Sequence, residues 1–82
     1  MKKRVTTASG TVYQVDMETK AVVRNGEYLG QLEGSGHMTP MGPTLNEPDR
    51  VVEGLHLITH VEGKNPPDFV STIIVQIEDI QE

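Results

Sequence analysis

The sequence predicts an all-β fold, an antiparallel meander curled into a small SH3-like barrel or sandwich. Three observations carry that expectation. Val5 to Arg24 contains three β-prone runs, broken at Ser9-Gly10 and at Asp16 to Thr19. Asn25-Gly26 then sits between Ala21 to Arg24 and Glu27 to Leu32, and Asn-Gly is the strongest short hairpin signal because both central positions of a type I′ turn need positive φ. Finally, Phe69 to Ile80 is rich in Val and Ile, residues that lose rotamer freedom in a helix and pack well on a pleated surface.

Taken in order, Val5 to Ala8 and Thr11 to Asp16 form the first hairpin, with Ser9-Gly10 as a two-residue turn. That register places Thr6 opposite Tyr13 and Thr7 opposite Val12, with Tyr13 and Val15 on the core face. Asp16 opens a four-residue turn, since its carboxylate can accept a bond from the backbone two residues on. A helix over Met17 to Ala21 is the rival reading, and the flanking valines argue against it. The Asn25-Gly26 register sets Arg24 opposite Glu27 and Val23 opposite Tyr28, cross-strand pairs worth ~0.2–1 kcal/mol each.

Residues 33–49 break the pattern with three glycines, three prolines and two methionines, and are expected to be a long irregular loop. Val51 to Val61 reads as a second β block, with Leu55, Leu57, Thr59 and Val61 on one face and His56, Ile58 and His60 on the other. Glu62 to Asp68 connects it to the last strand. There Phe69, Ile73, Val75 and Ile77 are expected to face the core, and Ile74 breaks the alternation.

Eighty-two residues without cysteine make one domain, 1–82, with a marginal core and no disulfide or thiolate metal site. A net charge of −5, twelve acids against seven bases, argues against a nucleic-acid binder. Met1-Lys2-Lys3-Arg4 is not followed by the apolar run a signal peptide needs, and Ile73-Ile74-Val75 is too short to span a bilayer. A soluble, cytoplasmic protein is therefore expected, with the basic residues guarding the edge of the first strand.

No catalytic constellation emerges, and the expectation is a protein that is not an enzyme, with no cofactor and no metal. His56 and His60 have the spacing of a zinc-binding helix but lack the glutamate after the first histidine. On a strand they would stand roughly 13 Å apart, too far to share one zinc. Two histidines on a sheet face, able to sense pH or touch an anion, is the preferred reading. Gly34-Ser35-Gly36-His37 lacks the context of a nucleophile elbow or a P-loop, and the paired acids Asp16/Glu18, Glu47/Asp49 and Glu78/Asp79 lie at turns or ends where solvated carboxylates are ordinary. Met38, Met41 and Leu45 have two readings: a loop folding its apolar side chains onto the sheet, or an adaptable contact surface.

The stretch Val5-Thr6-Thr7-Ala8-Ser9-Gly10-Thr11-Val12-Tyr13-Gln14-Val15-Asp16, followed by Val23-Arg24, resembles small uncharacterised proteins of actinobacteriophages and actinobacteria. The resemblance covers about a third of the chain. It implies a small β fold and a phage-type accessory role.

The leading functional expectation is a non-enzymatic interaction module, a phage accessory protein binding a host protein in the host cytoplasm. Its contacts are expected among His37, Met38, Met41, Leu45, Arg50, His56 and His60. The alternatives are a small-ligand or nucleotide sponge countering host defence, with its site between subunits and using Arg24, Arg50, His56 or Lys64 with backbone amides as anion donors, and a minor virion component. A twofold homodimer is expected through Val70, Ile74 and Ile80, because a chain this short has surplus apolar β surface.

Overall fold

The computed structural model describes residues 1–80 and contains seven antiparallel strands and no helix among them. In chain order they are β1 (Lys2–Thr7), β2 (Val12–Asp16), β3 (Ala21–Arg24), β4 (Glu27–Thr39), β5 (Gly42–Pro48), β6 (His56–His60) and β7 (Asp68–Ile80). The sheet order is β3-β2-β1-β7-β6-β4-β5, and an additional β3–β4 pairing joins the first strand of that order to the sixth. Six strands thus close a barrel, and β5 is an extra strand hung on β4. Closure removes the sheet edges that a short chain could not otherwise protect.

Local chemistry explains the early turns. Asn25 and Gly26 both have positive φ, at 52° and 81°, and the flanking strands pair Arg24 with Glu27 and Val23 with Tyr28 as expected. The Asp16 carboxylate accepts the backbone N–H groups of Glu18 at 2.9 Å and Thr19 at 3.2 Å. These two bonds stabilise the ionised form and pull its pKa below the ordinary carboxylate value. The first hairpin differs from the expectation by one residue. Thr6 lies opposite Val12 and Val5 opposite Tyr13, because Ala8-Ser9-Gly10 forms a three-residue loop closed by the Thr7 N–H on the Thr11 carbonyl. Gly10 takes the positive φ that such a loop requires. The slip keeps Tyr13 and Val15 inside and brings Val5 in with them.

β1 is also not an edge. It lies between β2 and β7, so its basic residues serve as cross-strand partners: Lys3 Nζ sits 2.8 Å from Asp79, and Arg4 3.9 Å from Glu78.

The core is Val5, Tyr13, Val15, Val22, Leu32, Leu57 and Ile74, with Met17, Leu29, Val51, Phe69 and Ile77 packed around it. Ile74 corrects two expectations at once. It is 1% exposed inside the barrel and cannot belong to a dimer interface, while Ile73 and Val75, expected in the core, are 43% and 53% exposed. The cause is a pair of register shifts in β7. One falls against β6 between His56 and Ile58, the other against β1 between Thr6 and Thr7. Each inserts an extra residue and flips the inward phase of the strand. At the first shift the Ser71 hydroxyl accepts the Leu57 N–H at 3.0 Å and so replaces a lost ladder bond. The other two expected interface residues, Val70 and Ile80, are half-buried.

The expected irregular loop is the largest correction. Residues 33–49 are almost all strand: β4 runs on to Thr39, turns through Pro40 and Met41, and returns as β5 to Pro48. The prolines fit because β5 pairs only with β4 among the described residues, so Pro43 and Pro48 can occupy an edge where an N–H is not required. The glycines fit because the backbones approach closely. A Cβ on Gly36 would lie 1.8 Å from the Thr44 carbonyl oxygen, and one on Gly34 2.2 Å from that of Glu47. The expected second β block is correspondingly shorter, with only His56–His60 in strand; Leu57 and Thr59 face inward as expected.

Candidate functional site

Two register shifts bend the hairpin where it leaves the barrel: Glu33 is the extra residue of β4 against β6, and Asn46 is the extra residue of β5 against β4. Beyond the bend, the β4–β5 hairpin forms an arm. Met38 pairs with Pro43, and Gly36 with Leu45, so Met38, Pro43 and Leu45 share one face of the arm. Pro43 and Leu45 line an open cleft of about 260 Å³, mouth included, together with Ile58, Glu33 and Asp68 of the barrel. Ile58 points outward from β6 yet is only 3% exposed, since the arm lies across it.

The arm keeps much of its apolar surface in solvent. Met41 at the turn is 98% exposed, Met38 51% and Leu45 42%. Leu45 partly follows the first sequence reading by lining the cleft, while the two methionines stand in solvent and do not fold onto the sheet. The turn itself is held locally, with the Thr39 hydroxyl donating to the Gly42 carbonyl at 2.7 Å and accepting the Met41 N–H at 3.3 Å. The His37 N–H donates to the Asn46 side chain at 2.9 Å.

The other residues singled out from sequence separate. Arg50 stands at the base of the arm, 3.6 Å from Glu47, and its carbonyl accepts the Ser35 hydroxyl at 2.9 Å. The His56 Nδ1–H donates to the Ser71 carbonyl at 2.7 Å, opposite Gly36 at the start of β6. His60 ends the same strand and pairs with Gln31 on one side and Asp68 on the other. The two histidines occupy different surroundings, as their strand spacing implied. Nor do the four residues weighed as anion donors share a cleft. Arg24 and Lys64 both approach the Phe69 ring, at 5.1 and 5.7 Å from its centroid. That ring also tilts against Tyr13 at 6.4 Å. Burial pushes the Tyr13 phenol above its ordinary pKa, outweighing the opposing pull of the Arg24 guanidinium.

One cluster escaped the sequence reading. Glu33 of β4, His60 of β6 and Asp68 of β7 each bring one ligand atom to within 4.8 Å of the other two. Glu33 is half-buried, and its carboxyl lies close to that of Asp68. Hydrogen bonding to Asp68, then desolvation and the Asp68 charge, push its pKa up from 4.5 to about 6, against the pull of His60. Glu33 and Asp68 lie at opposite ends of the stretch from β4 to β7, and no local motif joins them to His60. Only the barrel's strand order makes β4, β6 and β7 neighbours.

No family model, curated protein or solved structure matches this chain. No helix among the described residues is long and apolar enough to cross a membrane.

Proposed function

We propose that this protein is a non-enzymatic binding module in which the closed barrel is a scaffold and the β4–β5 arm grips a protein partner. The observation that carries this reading is the arm's exposed apolar set, Met38, Met41 and Leu45, held outside a barrel that fills its own core without them. Burying a fully exposed side chain such as Met41 in a partner's groove is worth roughly 1.5–3 kcal/mol, the scale of an interface anchor, and the half-exposed Met38 and Leu45 add smaller amounts. Unbranched methionines suit such a role because they adapt to the shape they meet. The N-terminal resemblance to actinobacteriophage proteins favours a host protein as the partner and the host cytoplasm as the place of encounter.

The nucleotide-sponge reading is supported less well, because Arg24, Lys64, Arg50 and His56 are engaged at three separate places. The dimer expected from the sequence would draw on the exposed Ile73 and Val75 instead of Ile74. Light scattering reads it out as twice the chain mass of 9.0 kDa.

The test is a paired capture experiment from host lysate, with the wild-type chain and the triple variant Met38→Ser, Met41→Ser, Leu45→Ser as baits. The variant is expected to keep the wild-type circular dichroism spectrum and to lose the protein that the wild type retains. Recovery of the same protein by both baits, confirmed by titration of the purified partner, would remove the arm from the interface.

A further inference from the structure

Glu33, His60 and Asp68 form a cluster of two carboxylates and one imidazole on three neighbouring strands, at the edge of the cleft beneath the arm. We propose that these three side chains bind one divalent first-row transition-metal ion, with zinc as the best match. This inference is independent of the protein-binding reading.

The donor set favours this class of ion. An imidazole nitrogen with two carboxylate oxygens suits zinc, whereas calcium and magnesium prefer oxygen ligands and higher coordination numbers. Three protein ligands leave one tetrahedral position open, and the cleft lined by Pro43, Leu45 and Ile58 gives water or an added donor access to it.

The backbone aims the three residues at one point. His60 and Asp68 are directly opposed in the β6–β7 register. Glu33 sits at the register shift between Leu32 and Gly34, the kind of irregularity that re-aims a side chain. The ligand atoms already lie within 4.8 Å of one another. Metal bonds of about 2.0–2.2 Å would put tetrahedral ligand atoms roughly 3.4 Å apart, so closure needs a movement of about 1–1.5 Å. Side-chain rotation can supply it, since His60 and Asp68 are exposed.

Glu33 and Asp68 bring two carboxyl groups to one point beside the imidazole. A divalent ion there would neutralise both carboxylates, on a chain whose net charge of −5 favours cations.

The test is calorimetric titration of chelator-treated protein with zinc chloride at neutral pH, alongside native mass spectrometry. One zinc per chain is expected at sub-millimolar metal, with magnesium chloride giving no heat. His60→Ala and Asp68→Asn should each weaken zinc binding by about tenfold or more while leaving the circular dichroism of the metal-free protein unchanged. In wild-type protein, zinc should shift the His60 imidazole resonances and leave those of His37 and His56 in place. That readout decides the matter even where a variant fails to fold. Absence of a zinc adduct, undiminished binding in His60→Ala, or a shift at His37 or His56 instead would overturn the assignment.

Discussion

The barrel and the arm are built from one continuous strand, yet they follow opposite rules. Where β4 belongs to the barrel, Leu32 points inward and is 5% exposed. Past the bend at Gly34 and Gly36, the same strand carries Met38 half in solvent and ends beside Met41, which is almost wholly exposed. The barrel is specified by side chains, since a residue that fills the core fixes its own register. The arm is specified by backbone, through ladder bonds, prolines at a free edge and glycines that let β5 approach β4. A small chain can therefore close a stable body and still hold apolar side chains out for a partner.

The largest break in this contrast is Ile74→Asp. It places a carboxylate among Val5, Val15 and Leu57 without a partner and removes a buried side chain, a combined cost of about 4 kcal/mol or more. Urea denaturation followed by circular dichroism should show the barrel largely unfolded in the absence of denaturant. A surface location for Ile74 would instead leave the midpoint nearly unchanged.

Gly36→Val should act on the arm. Its Cβ would overlap the Thr44 carbonyl, and no side-chain rotation relieves a backbone clash. We expect a loss of roughly 1–3 kcal/mol. In amide correlation spectra, shifts should be concentrated in β5 and around Met38, with the Val5 and Val15 amides little moved.

A smaller effect of opposite sign is expected inside the barrel. Thr59 is fully buried, and its hydroxyl has no hydrogen-bond partner among the described residues. Thr59→Val keeps the shape and removes the unpaired polar atom, so the unfolding free energy should rise by about 1 kcal/mol, with a higher urea midpoint. A fall would indicate a water or another partner at that oxygen.

The smallest effect concerns Glu33 in metal-free protein. Its folded pKa of about 6 lies above its ordinary 4.5, so the folded state holds this proton more tightly than the unfolded chain does. Its contribution to stability is full below about pH 4.5 and is lost as pH rises through about 6. Glu33→Gln should remove that component of the pH dependence and raise the melting temperature slightly at neutral pH. The gain is expected to be below about 1 kcal/mol, because the site is open to solvent. An unchanged pH profile between 4.5 and 6 would place Glu33 away from Asp68.

What was legible in the sequence follows the same division. The all-β class, the Asn25-Gly26 turn, the Asp16 turn and the inward pair Tyr13 and Val15 were legible because each rests on local chemistry or strict alternation. The phase of β7 was not, since the alternation of Ile73, Ile74 and Val75 is reset by register shifts that depend on β1 and β6. The arm was missed for a different reason. Glycine and proline usually end strands, and only the close approach of Gly36 to Thr44 and the edge position of Pro43 turn them into strand residues here. Of the expected contact residues, Met38, Met41 and Leu45 come together on the arm, while His60 joins Glu33 and Asp68 through strand order alone.

Native-state hydrogen exchange of the metal-free protein tests the division between barrel and arm most directly. Amides of Val5, Val15 and Leu57 are predicted to exchange only through global unfolding, with a denaturant dependence matching the equilibrium transition. The amides of β5 that donate to β4 are predicted to exchange through a local opening of lower free energy that is nearly independent of denaturant. Equal protection and equal denaturant dependence in both sets would contradict the account, since barrel and arm would then open as one cooperative unit.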